Sequence, residues 1–243
     1  MARLARRRKL SRRPFVRRRV LKRAALILAL LASGCSSVLG FEDFSTGTDG
    51  GSGSNGPKIR LTGKVTDASN NAISDVGVEA YALDGTMISP QINTNGLGTY
   101  ALDLTLANGS VDGFLHFSTG GFYDAYVEFP GPLSANRTFD TALMNATDVQ
   151  NLHNAVGLPA TQNTGTMLVD TVTLGQSVQI EFGNVRYYDG TGMLNSSVTS
   201  ASSFPAAVVL DIPDGIYHPH RNTKPAGRAY AVEPNTVVYV TLE

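Results

Sequence analysis

The sequence predicts an all-β protein, two small antiparallel β-sandwich modules joined by one short helix. Three observations predict it. From residue 58 onward, short stretches alternate apolar with polar or small residues, as in Tyr100-Ala101-Leu102-Asp103-Leu104-Thr105-Leu106, and period two marks a half-buried strand. Turn chemistry separates the stretches, at Ser69-Asn70-Asn71, Asp84-Gly85, Asn95-Gly96, Asn108-Gly109 and Thr119-Gly120-Gly121. One segment, Ala146 to Val156, has helical spacing, with Val149, Leu152 and Val156 on one face and Gly157 and Pro159 as a stop.

Residues 1–34 have the composition of an export signal. Arg3 to Arg23 is dense in Lys and Arg and free of acid, and an uncharged apolar run follows from Ala24 to Ala32. That run is shorter than the roughly 20 apolar residues needed to span a bilayer, and it fits the core of a cleavable signal. Ser11-Arg12-Arg13-Pro14-Phe15-Val16-Arg17 resembles the bacterial twin-arginine export motif, with Arg12 and Arg13 as its pair. Leu31-Ala32-Ser33-Gly34-Cys35 resembles a lipobox, which implies a covalent lipid on Cys35, the sole cysteine of the chain. Ser36 in place of Asp resembles the pattern that permits sorting to an outer membrane. General secretion is the alternative route.

Removing the signal changes the charge. All 20 acidic residues and 8 of the 20 basic ones lie after residue 34, so the part from Cys35 onward carries a formal charge of −12. A basic nucleic-acid-binding surface is therefore not expected, and the acidic excess favours solubility. With no cysteine beyond Cys35, no internal disulfide can form. Residues 35–57 are the lipidated Cys and a Gly/Ser linker. A flexible coil of that length spans roughly 25 Å, enough to hold a domain off a bilayer.

Module 1 is expected over residues 58–143. Its strands include Leu61 to Asp67, Val76 to Tyr81, Tyr100 to Leu106 and Phe122 to Phe129. The helix and connector occupy 144–164. Module 2 covers 165–243, with strands at Gly165 to Asp170, Val178 to Phe182, Ala206 to Leu210 and Val237 to Leu242.

Leu61-Thr62-Gly63-Lys64-Val65-Thr66-Asp67, Val76 to Tyr81, and Thr94-Asn95-Gly96-Leu97-Gly98-Thr99-Tyr100 together resemble the carboxypeptidase-regulatory-like, transthyretin-type sandwich. Module 2 looks like a degenerate copy, with Ile212-Pro213-Asp214-Gly215-Ile216-Tyr217 matching the family's Pro-x-Gly-x-Tyr hairpin. The resemblance covers most of 59–106 and about half of 165–242. It implies a non-catalytic appendage or surface building block; the expected ligand is a protein or a glycan, and no cofactor is expected beyond the lipid on Cys35.

A rival reading comes from Tyr217-His218-Pro219-His220. Positions i and i+2 of a strand share a face, so His218 and His220 are weak candidates for a metal site, with Tyr187 and Tyr188 upstream. Two Tyr and two His resemble the iron site of intradiol ring-cleaving dioxygenases, which implies iron under that alternative. Pro219 makes the stretch an edge or loop. His116 is expected as a strand histidine with one satisfied nitrogen, and His153 as solvent-facing on the helix. Asp189-Gly190-Thr191-Gly192 reads as a hairpin turn. The expected role is that of a membrane-anchored, non-enzymatic envelope lipoprotein, at the outer membrane or cell surface. A further alternative is an accessory subunit of an envelope complex.

Overall fold

The computed structural model describes residues 56–106, 108–171, 174–221 and 228–242. The export pair Arg12/Arg13, Cys35 and nearly all of the linker lie outside the described residues.

The chain is mostly β. The first half contains β1 (Lys58–Asp67), β2 (Gly77–Ala82), β3 (Ile92–Asn93), β4 (Thr99–Thr105), β5 (Gly113–Ser118), β6 (Asp124–Glu128), β7 (Arg137–Thr138) and β8 (Thr141–Leu143). A helix, α1 (Ala146–Val156), follows. The second half contains β9 (Gly165–Thr171), β10 (Val178–Gln179), β11 (Asn184–Tyr188), β12 (Leu194–Asn195), β13 (Ala206–Ile212), β14 (Gly215–Tyr217), β15 (His220–Arg221), β16 (Tyr230–Val232) and β17 (Thr236–Leu242).

In the first half, β1 pairs antiparallel with β4 and parallel with β7 and β8. This sheet faces β3-β2-β5-β6 across a core that includes Leu61, Leu102, Val78, Leu115, Phe117 and Ala125. The alternation of β4, exposed at odd and buried at even positions, is the one its sequence predicts. Each large side chain buried here, such as Phe117, stabilises the fold by about 1.5–3 kcal/mol.

The residues of the family-like motif cluster at one corner of this sandwich. A Cβ on Gly63 would lie 2.0 Å from the Phe139 carbonyl oxygen, so a side chain there would collide with the chain entering β8. Gly98, at φ +74°, supplies the left-handed turn that lets its carbonyl accept from the Val65 amide at 2.8 Å. The Asp67 carboxylate accepts from the Ser69 and Asn71 amides. The Tyr100 hydroxyl donates to the Phe139 carbonyl at 2.8 Å. These positions hold turns together, so the resemblance records folding chemistry.

The two halves are joined through one nine-stranded sheet, ordered β12-β11-β13-β9-β17-β6-β5-β2-β3. Most of its ladders are antiparallel. The exception is β17, which lies parallel to β9 on one side and to β6 on the other. Across the first seam Val237 pairs with Ala125 and Tyr239 with Val127. The Tyr239 hydroxyl donates to the Ala142 carbonyl, adding a side-chain link between the halves.

The long sheet is covered on opposite faces at its two ends. The face lined by Ala125 and Val127 belongs to the first-half core, and continues as Val237, Leu168, Val208 and Tyr188 under α1. The other face, with Val238, Met167, Val209 and Tyr187, packs on the ribbons β10/β15 and β14/β16. Strand β13 is therefore buried on both sides, which accounts for its unbroken apolar run Ala206 to Leu210. A bulge at Asp211, φ +58°, reverses its alternation, turning Ile212 to the ribbon side.

Helix α1 begins at a capping box. Asn145 accepts from the Thr147 and Asp148 amides, and the Asp148 carboxylate accepts from the Asn145 amide at 3.0 Å. Gly157 closes it in the left-handed region. Two expectations need correction. The predicted strand Val178 to Phe182 shortens to Val178–Gln179, and Phe182 is 62% exposed. His153 is buried rather than solvent-facing, because the bulge at Asp211 and the chain after α1 cover the helix flank.

Candidate functional site

The two histidines of the Tyr217-to-His220 segment are engaged locally. His218 meets Glu181 twice, its amide donating to Oε2 (3.1 Å) and its Nδ1 lying 3.0 Å from Oε1. The His220 Nδ1 donates to the His218 carbonyl at 2.9 Å. Strand β14 stops before Pro219 and β15 resumes after it, as a missing ladder donor requires.

Tyr187 and Tyr188 do not join them as a set. Being consecutive in β11, they point to opposite faces. Tyr187 lies in the ribbon-side core, donating to the Val178 carbonyl and accepting from its amide, while Tyr188 is buried beneath α1. The pair cannot reach one ion, so these residues do not fit the two-Tyr, two-His iron site. Among the described residues no group of three or more His, Cys, Asp or Glu side chains is placed to hold a metal ion.

The structure instead brings together two features that sequence reasoning missed. The first is the outer face of β2, β5 and β6. Register places Glu79 beside His116 and His116 beside Tyr126, with Tyr81 beside Phe114 in the next row. The rings form a continuous platform. Tyr81 stacks on Phe114 with centroids 5.5 Å apart, Phe114 meets Tyr126 edge-on at 5.6 Å, and His116 stacks on Tyr126 at 5.0 Å. All four rings are half-buried, and Met87, bridged to Tyr81, is 51% exposed.

Carboxylates frame the platform. His116 has both nitrogens engaged, Nδ1 at 3.3 Å from Glu79 and Nε2 at 3.1 Å from Asp124. The expectation of one satisfied nitrogen is thus exceeded. The Tyr81 hydroxyl donates to Glu79 at 2.9 Å and that of Tyr126 to Glu233 at 3.3 Å. Burial first, then the charges of Glu233 and Asp124, push the Tyr126 phenol up and keep it a donor. At the margin, Arg228 donates to Asp112 (2.7 Å) and to the Phe129 carbonyl (2.7 Å), with Glu128 at 3.8 Å.

The second feature is a cleft of about 400 Å³ between α1 and residues 160–164. Tyr123 lines it, and the Tyr123 amide donates to the Met144 carbonyl just before the helix. His153 lines it too. Its Nε2 is 3.7 Å from Asp211 Oδ1, and its Nδ1 is buried without a hydrogen-bond partner. Asp211 also accepts from the Thr161 amide (3.2 Å) and from Asn184 (3.0 Å), fixing the bulge to the loop.

The sequence matches no protein-family profile and no curated protein. Among solved structures, it is similar to the Bacillus anthracis TIE protein, with 12% identity and a TM-score of 0.26, over 76% of this chain and 33% of that one. The chain thus spans about a third of that protein's length. It is similar to the major pilin subunit of Bacillus cereus at 8% identity and a TM-score of 0.28, over 76% and 99% of the two chains. A hydroxyquinol 1,2-dioxygenase from Pseudomonas putida matches at 10% identity and a TM-score of 0.26, over 50% and 72%.

Proposed function

We propose that this chain is a lipid-anchored, non-enzymatic binding module of the bacterial envelope, lipidated at Cys35, tethered by residues 36–57, and holding a polypeptide partner on the outer face of β2, β5 and β6. The observation that carries the binding role is the ring platform of Tyr81, Phe114, His116 and Tyr126. Aromatic side chains supply large contact area with little rotamer entropy to lose, and they concentrate at recognition surfaces. The exposed Met87 and Leu83 extend this surface, and the surrounding acids suit a partner bearing Lys or Arg. The anchor is supported by the apolar run and lipobox-like residues up to Cys35.

Two measurements test this. Cys35→Ala is expected to release the protein from the membrane fraction, and unchanged detergent partitioning sinks the anchor. A photo-crosslinking residue at Met87 is expected to trap a discrete adduct in cells, while one at Leu97, exposed in the turn between β3 and β4, traps none. Equal adducts at both positions, or none at either, end the reading.

A further inference from the structure

The cleft beside α1 is distinct from the ring platform and shares none of its residues. We infer that it binds a neutral, polyhydroxylated small molecule, a saccharide of one or two rings.

Its chemistry sets the ligand class. The lining contains amides (Gln150, Gln162, Asn163, Asn235) and threonine hydroxyls, with no Asp, Glu, Lys or Arg. In a chain with so large an acidic excess beyond residue 34, an uncharged wall excludes ligands that need an ionic partner. Amides and hydroxyls both donate and accept, which is what a ligand covered in hydroxyl groups requires. Tyr123 belongs to the lining, and an aromatic ring at the cleft suits the C–H face of a sugar ring. The volume lies within the roughly 300–1,000 Å³ of small-molecule sites.

The floor points to the same class. His153 is 2% exposed, and its Nδ1 is buried without a partner. A buried polar atom in that condition calls for a specific explanation. Nε2 stands 3.7 Å from the Asp211 carboxylate, and a ligand hydroxyl that reached the floor as the ring turned toward it would give Nδ1 its missing partner.

The walls are fixed before any ligand arrives. Asn163 and Asn235 both hold left-handed backbone (φ +59° and +58°), as does the supporting Asp211. Such conformations persist where surrounding structure enforces them, and they cluster at ligand sites. Here the Asn235 amide donates to the Thr164 carbonyl (3.1 Å), and the Thr164 hydroxyl to the Thr161 carbonyl (2.9 Å). A pre-set cleft spends less binding free energy on ordering itself.

The test titrates the full chain, purified in a polyoxyethylene detergent without sugar headgroups, with cellobiose, maltose and di-N-acetylchitobiose, using glucuronic acid as the charged comparator. At least one neutral disaccharide is expected to bind saturably. Tyr123→Ala is expected to weaken that binding about tenfold or more. Gln162→Ala, on the exposed loop, is expected to weaken it several-fold with unchanged thermal unfolding, which separates lost contacts from lost structure. Absence of saturable binding up to about 10 mM for all three disaccharides, equal binding of glucuronic acid, or parental affinity in both variants overturns the assignment. None of these outcomes depends on the partner docking at Met87.

Discussion

Arg228 reaches from the second half of the chain to Asp112 in the first, donating to its carboxylate at 2.7 Å. The same guanidinium donates to the Phe129 carbonyl and stands 3.8 Å from the buried Glu128. One side chain thus ties three groups of the first sandwich to the segment leading into β16.

Removing that tie leaves Asp112 and Glu128 without their cation. Arg228→Met is expected to cost about 2 kcal/mol, since a partly buried carboxylate loses its counter-charge and a carbonyl its donor. Urea unfolding of the full chain should show a lower midpoint at an unchanged slope. A parental midpoint would show the contact to be energetically idle.

Glu128 carries its own pH dependence. Burial pushes its carboxyl up to about 7 from an ordinary 4.5, the Arg228 charge pulling it back and Asp112 adding to the rise. A raised folded value means that the group's contribution is fully present below about 4.5 and is lost as pH rises through about 7. Glu128→Gln should therefore stabilise the protein by about 2 kcal/mol near pH 8 and change little near pH 4. Thermal unfolding of both proteins across that range checks it, and an equal difference at both ends refutes it.

Gly63 tolerates no side chain. With a Cβ only 2.0 Å from the Phe139 carbonyl oxygen, Gly63→Ala must push β1 and the chain before β8 apart. A loss of about 2–4 kcal/mol is expected, in the range of overpacked cores and strained backbone. Gly120, which has open space around it, is the control. Gly120→Ala should unfold within a degree or two of the parent.

The capping box of α1 is also measurable. Asn145→Ala removes the acceptor for two helix amides and should cost about 1 kcal/mol. With two first-turn amides left without their acceptor, amide exchange in α1 should quicken in the same variant. Parental exchange there would mean that packing alone holds the helix.

Strands and turns were legible where one face is buried and the other wet. The alternation of Tyr100 to Leu106 and the turn at Asn70 follow directly from side-chain period and backbone preference. The path of the long sheet was not, because it depends on β17 meeting β6, and no local pattern names a partner so distant in sequence. A weak signal existed: Val237-Val238-Tyr239-Val240 and Ala206 to Leu210 are apolar without a break, as strands covered on both faces are. His153 was misread because Val149, Leu152 and Val156 define a narrow stripe, while the buried face of α1 is wider and includes its neighbour at 153.

Neither the ring platform nor the cleft could be read in advance, for different reasons. The ring platform needs the cross-strand register that sets His116 beside both Glu79 and Tyr126. The cleft needs four separated segments, at Tyr123, α1, residues 160–166 and Asn235, to converge. The amide-rich run Thr161-Gln162-Asn163-Thr164 was its one visible trace.

The insertion of β17 between β6 and β9 sets an order of events during biosynthesis. Residues 236–242 must leave the ribosome before either neighbouring strand gains its last partner. Until then β6 and β9 present unpaired backbone, the kind of edge that recruits other chains. Delivery across a membrane as an extended thread would expose those edges a second time, on the far side. Carriage as a finished fold, the route expected of a twin-arginine signal, would expose them once, inside the cell.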